Sequence, residues 1–117
     1  MALKSLVMEF GTGTDLRGRD YTKAAQRAVD DAIKRNSVSV AAAFGQPREA
    51  MHVQVRIGVA KPELVDKDAV AAVLPYGTIE VVVKQGGLDI PQDDGSDVTV
   101  MANATVTVSL DLPDQTA

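Results

Sequence analysis

The residue types that do chemistry are concentrated between positions 11 and 27, where the sequence reads GTGTDLRGRDYTKAAQR. A stretch of this kind, entering a helix, gathers unpaired backbone N–H groups and the positive end of the helix dipole. Gly11, Gly13 and Gly18 let a backbone approach a ligand closely, while Thr12 and Thr14 add hydroxyls. Arg17, Arg19, Lys23 and Arg27 form the only basic cluster of the chain. Bases at a helix start work against the dipole, so something negative should compensate. Asp15 and Asp20 supply part of that charge, and an exogenous carboxylate or phosphate-like group would supply the rest. In this reading Asp15 is the candidate catalytic base or orienter. Gly11, Gly13 and Gly18 approach the ligand, and Arg17 and Arg19 clamp it in bidentate fashion. The competing reading makes Asp15 a turn carboxylate bonded to its own backbone and the arginines its surface partners.

Composition narrows the chemistry. The 117 residues include no Cys and one His, so disulfides, thiolate nucleophiles, zinc ribbons and any site needing two histidines from one chain are excluded. No metal site and no cofactor is expected, since neither a dinucleotide fingerprint nor a P-loop is complete. The net charge of −4 gives no general reason to expect nucleic acid. The opening segment MALKSLVMEF is too short and lacks a cleavage site for a signal peptide. No apolar run approaches the roughly 20 residues that span a bilayer. A cytoplasmic protein without membrane partners is therefore expected.

These residues must be positioned by a small α+β domain over residues 1–112, followed by a polar tail, 113–117. Leu3 to Phe10 reads as a strand, with Leu6, Met8 and Phe10 on one side, feeding a glycine-rich loop from Gly11 to Gly18. Asp20 caps a helix whose stripe Tyr21, Ala24, Ala25, Ala28, Val29, Ala32 and Ile33 recurs at helical spacing. Because that stripe is mostly alanine, the helix can lie close to its sheet. Arg27/Asp31 and Asp30/Lys34 stand at i,i+4. Asn36 is a plausible helix cap, and residues 37–44 fit strand or helix equally. Met51–Ile57 alternates as a half-buried strand that puts His52 on a wet face, and Ala69–Leu74 is a short helix stopped by Pro75 and Gly77. Ile79–Lys84 is a third strand, and Gln85–Asp97 is expected to be an exposed loop.

The cleanest alternation comes last: Val98, Val100, Ala102, Ala104, Val106, Val108 and Leu110 face one way, and Thr99, Met101, Asn103, Thr105, Thr107 and Ser109 the other. Thirteen residues would span roughly 43 Å, so this strand bends or runs past its own subunit. The order strand-helix-strand-helix-strand-strand predicts a mostly antiparallel sheet with two helices on one face. The polar row then faces water or a sister subunit, which brings Asn103 and Thr105 forward as ligand-binding candidates. With four Phe and Tyr residues and no Trp, the core is built of Val and Ala, which bury little area each. A homo-oligomer follows, most simply a trimer.

The stretch FGTGTDLRGRDYTKAAQRAVDDAI, with LPYG near residue 75 and MANATVTV near residue 101, resembles a small conserved hypothetical protein family of bacteria and plants. That family is marked by a Gly-x-Gly-x-Asp-x-His-Gly signature, and Arg17 stands where it has His. The resemblance implies a shared fold and site rather than a particular reaction. A fainter analogy links the chain to the folds of trimeric deaminases and ring-opening cyclic amide hydrolases.

Two functional readings follow. In the first, a homo-oligomer binds a small polar or anionic metabolite at the Gly11–Gly18 loop and the face around Asn103 and Thr105. Its chemistry, where there is any, would be hydrolysis or deamination of an amide-like compound with backbone N–H groups as oxyanion donors. In the second, the protein is a non-catalytic structural or interaction protein whose glycine loop is only a tight turn.

Overall fold

The computed structural model describes residues 2–34 and 40–113. Five strands form one mixed sheet: β1 (Ala2–Asp15), β2 (His52–Val59), β3 (Thr78–Gln85), β4 (Leu88–Pro91) and β5 (Val98–Leu112). Its order is β1-β5-β2-β3, with β4 beside the first residues of β5. β5 runs antiparallel to β1, β2 and β4, and β2–β3 is the parallel pair. Among the described residues the α-helices are α1 (Tyr21–Lys34), the single turn α2 (Val40–Ala43) and α3 (Lys67–Ala71). The α+β class and the largely antiparallel sheet are those expected.

Local chemistry accounts for these elements. Asp20 caps α1 by accepting from the Lys23 N–H at 2.9 Å, and Asp66 caps α3 by accepting from the Asp68 and Ala69 N–H groups. The small-residue stripe of α1 is fully buried against β1 and β5, and α3 packs beside it against β3. Both helices cover the same sheet face, where the alternating residues of β5 from Val100 to Leu110 form the core. Among the described residues the other face carries no helix.

Several expectations are corrected. Residues 11–15 belong to β1, not to a loop; the turn begins after Asp15. A β-bulge between Ser5 and Val7 gives the ladder an extra residue, so Leu6 packs against the core while Met8 and Phe10 point to the open face. The segment 85–97 is not all loop. β4 pairs with Val98–Met101 as a short hairpin across residues 92–97, which a four-residue strand ending in a proline does not announce. Arg27 turns from Asp31 towards the Thr14 carbonyl, at 2.6 Å, and the Thr12 N–H donates to Asp31. Within 37–44 the chain is helical at Val40–Ala43 and turns at Phe44; Asn36 and residues 37–39 lie outside the described residues.

β5 has fifteen residues and continues past β2, whose pairing ends at His52–Ser109 while β1 continues to Leu112. The molecule is accordingly elongated, 62 × 21 × 21 Å.

Candidate functional site

The sheet separates the candidates into two groups. Directly paired residues share a face, so Gly11 (opposite Ala104), Gly13 (opposite Ala102) and Asp15 (opposite Val100) lie on the helix side. Thr12 (opposite Asn103) and Phe10 (opposite Thr105) lie on the open side. Gly11 and Gly13 meet α1: a Cβ on Gly11 would stand 2.1 Å from the Ala28 carbonyl, and one on Gly13 2.3 Å from the Ala24 carbonyl.

Asp15 is 4% exposed. It accepts from the Asp20 N–H at 2.9 Å and stands 3.7 Å from the Arg27 guanidinium. Its carboxylate therefore ties the turn to α1 from within. Gly18 and Arg19 follow in left-handed backbone, φ 99° and 53°. Their partner is Asp97 at the start of β5, which accepts from the Gly18 N–H and pairs with Arg19 at 3.6 Å. Backbone hydrogen bonds from Val98 and Gly18, helped by Arg19 and Arg17, hold the Asp97 carboxyl below its ordinary value. The chain's own carboxylates thus meet Arg19, Arg27 and the Gly18 and Asp20 N–H groups at this turn. Beside it, Tyr21 donates its hydroxyl to Asp89 of β4. Burial first, then that hydrogen bond and the carboxylate's charge, push the phenol up to about 12.

The open face is different in kind. Its transverse rows run Asn103–Gly58–Lys84, Thr105–Arg56–Val82, Thr107–Gln54–Glu80 and Ser109–His52–Thr78 across β5, β2 and β3. Asn103, Thr105, Gln54, Arg56, Val82 and Lys84 surround a basin of about 520 Å³. A smaller depression beside it is lined by Phe10, Thr12 and Asp31 together with Asn103 and Thr105. The side-chain hydroxyls of Thr105 and Thr107 are buried without a hydrogen-bond partner in the protomer. Leu3, Met8, Phe10, Leu88 and Ile90 are exposed on this face. Among the described residues no cluster of acidic, His or Cys side chains is placed to hold a metal, and no helix is long and apolar enough to cross a membrane.

Residues 5–108 match a family model described as a conserved hypothetical protein family, Lin0512. The chain belongs to the Lin0512 family. A similar solved structure is an FtsZ-like protein of unknown function from Nostoc punctiforme, 35% identical with a TM-score of 0.87, the alignment covering 96% of this chain and 99% of that one. No curated protein matches the chain. Membership agrees with the resemblance carried by the FGTGTDLRGRD stretch, which in this Lin0512 protein is strand and turn rather than loop. Sequence reasoning placed Asn103 and Thr105 on the polar face. Gln54 and Arg56 read in the sequence only as the wet face of a strand, and Lys84 as a surface lysine with no motif around it.

Proposed function

We propose that this Lin0512 protein is a homo-oligomer that binds a small polar or anionic metabolite on its open sheet face, around Asn103 and Thr105. One observation carries the reading: five of the eight exposed large apolar residues among those described stand on that face, beside two buried hydroxyls without partners. Apolar area left in water is unfavourable, and a buried hydroxyl without a partner costs about 1–3 kcal/mol. A second copy covering the face removes the first cost, and a polar ligand held between copies removes the second. Asn103, Gln54 and Thr105 offer amide and hydroxyl groups to such a ligand. From the Gly11–Gly18 segment, Thr12 and Thr14 lie on this face, whereas Gly11, Gly13 and Asp15 serve the helix side.

That division supports binding ahead of hydrolysis or deamination, because Asp15 lies across the sheet from the ligand groups. It also supplies the observation behind the second reading, a non-catalytic interaction protein whose glycines are purely structural.

Light scattering at micromolar concentration should give a multiple of 12.3 kDa, three copies being the simplest case. Asn103→Ala should reduce ligand-induced thermal shifts across a panel of polar metabolites without changing that mass. A 12.3 kDa particle in solution rules the proposal out.

A further inference from the structure

The open-face basin holds two cations without an ion-pair partner among the described residues, with Glu80 one row away from Arg56 on the same face. Arg56 and Lys84 stand on neighbouring strands, offset by two residues, because Arg56 is opposite Val82 and Gly58 is opposite Lys84. Strand spacing and rise place their Cα atoms roughly 8 Å apart. Among the described residues neither has an ion-pair or hydrogen-bond partner, although the chain is acidic overall, with a net charge of −4. Three other basic side chains do have one: Arg19 meets Asp97, Arg27 meets Asp15 and Lys34 meets Asp30.

The space between the two cations is built as a hollow. Gly58 lies between Asn103 and Lys84 in one row and presents no side chain there. The Gly86–Gly87 turn closes over its end, with the Gly87 nitrogen 3.5 Å from where a Gly58 Cβ would be. Thr105, whose buried hydroxyl has no partner, lines the same basin. Arginine's planar fork matches a carboxylate, lysine supplies a second, separate positive charge, and the amides of Gln54 and Asn103 add neutral donors.

We infer that this basin binds a small organic dianion carrying two carboxylate groups, one received by Arg56 and the other by Lys84. Two separated cations suit two separated charges better than one compact phosphate, and among the described residues no helix N-terminus faces the basin to favour phosphate. The inference rests on the open face being a ligand site, and it names the chemical class of that ligand and two residues that select it.

The test is isothermal titration of the full chain with succinate, glutarate, acetate and inorganic phosphate, with light scattering on the same samples. Saturable binding of succinate or glutarate is expected, tighter than acetate or phosphate. It should weaken about tenfold or more in Arg56→Gln and in Lys84→Gln, as loss of a charge-assisted hydrogen bond implies, and should weaken with added salt. Thermal melts of both variants should match the parent or exceed it, since each removes an unpaired charge. Dicarboxylate binding that is absent, or unchanged in both variants, overturns the inference, as does phosphate binding at least as tightly. If the variants instead dissociate and no anion binds, the cations are contacts between copies: the inference falls and the oligomer stands. A monomeric protein that still binds succinate through Arg56 leaves the inference standing and removes the oligomer.

Discussion

Gly11 and Gly13 show how one sequence feature serves two opposite readings. A Gly-x-Gly at the mouth of a helix promises close approach of backbone to something, and the sequence suggests a ligand. Here that something is the helix itself: with Ala24, Ala28 and Ala32 facing them, strand and helix backbones meet without intervening side chains. Periodicity made the alanine stripe legible, but which side of β1 the glycines face depends on pairing with β5, more than 80 residues away in sequence. Gly13→Ala puts a methyl 2.3 Å from the Ala24 carbonyl oxygen and from the Ala28 nitrogen. Both are helix backbone and cannot move aside singly. The substitution is expected to cost about 3 kcal/mol or more, read as a fall in urea midpoint. A variant as stable as the parent would show that α1 does not rest on β1 in this way.

At the scale of elements, the start of α1 is held by carboxylates that come from three places. Asp15 ends β1, Asp97 opens β5 and Asp89 sits in β4. β4 was not legible as a strand because its stability comes from β5 and from this attachment, not from its own four residues. The Tyr21–Asp89 bond gives the attachment a pH signature. The phenol is neutral when it donates, and folding raises its value from 10.0 to about 12. The unfolded chain therefore loses this proton first. The stabilisation is complete below pH 10 and is lost as pH rises through about 12. Denaturant midpoints measured from pH 9 to 12 should fall in the parent, and the Tyr21 contribution to that fall should vanish in Tyr21→Phe. Equal slopes in the two proteins would show that the phenol does not titrate differently on folding.

For the whole molecule, the sequence already contained the argument for assembly, since alternation in β5 left Thr99–Ser109 on a face that no predicted helix could cover. It did not show how apolar that face is. Met8 and Phe10 join it by their register opposite Thr107 and Thr105, Leu3 because of the bulge near Leu6, and Leu88 and Ile90 because of β4, all products of pairing. Four strands at about 4.8 Å and seven residues at about 3.3 Å give a surface of roughly 20 by 23 Å, wide enough to seat a second sheet. Phe10, 63% exposed near one edge, is the residue whose alteration tests this most directly. A charge there adds little strain to the protomer, about 1 kcal/mol or less for an exposed strand position, yet it must be desolvated wherever another copy covers the face. Phe10→Asp is therefore expected to sediment near 12.3 kDa with an unchanged far-UV spectrum. Leu64→Asp is the control, equally apolar and 56% exposed but in the turn before α3 on the helix side. It should keep the parent's mass. If Phe10→Asp assembles as the parent does while Leu64→Asp dissociates, the contact lies on the helix layer and the open face is free in solution.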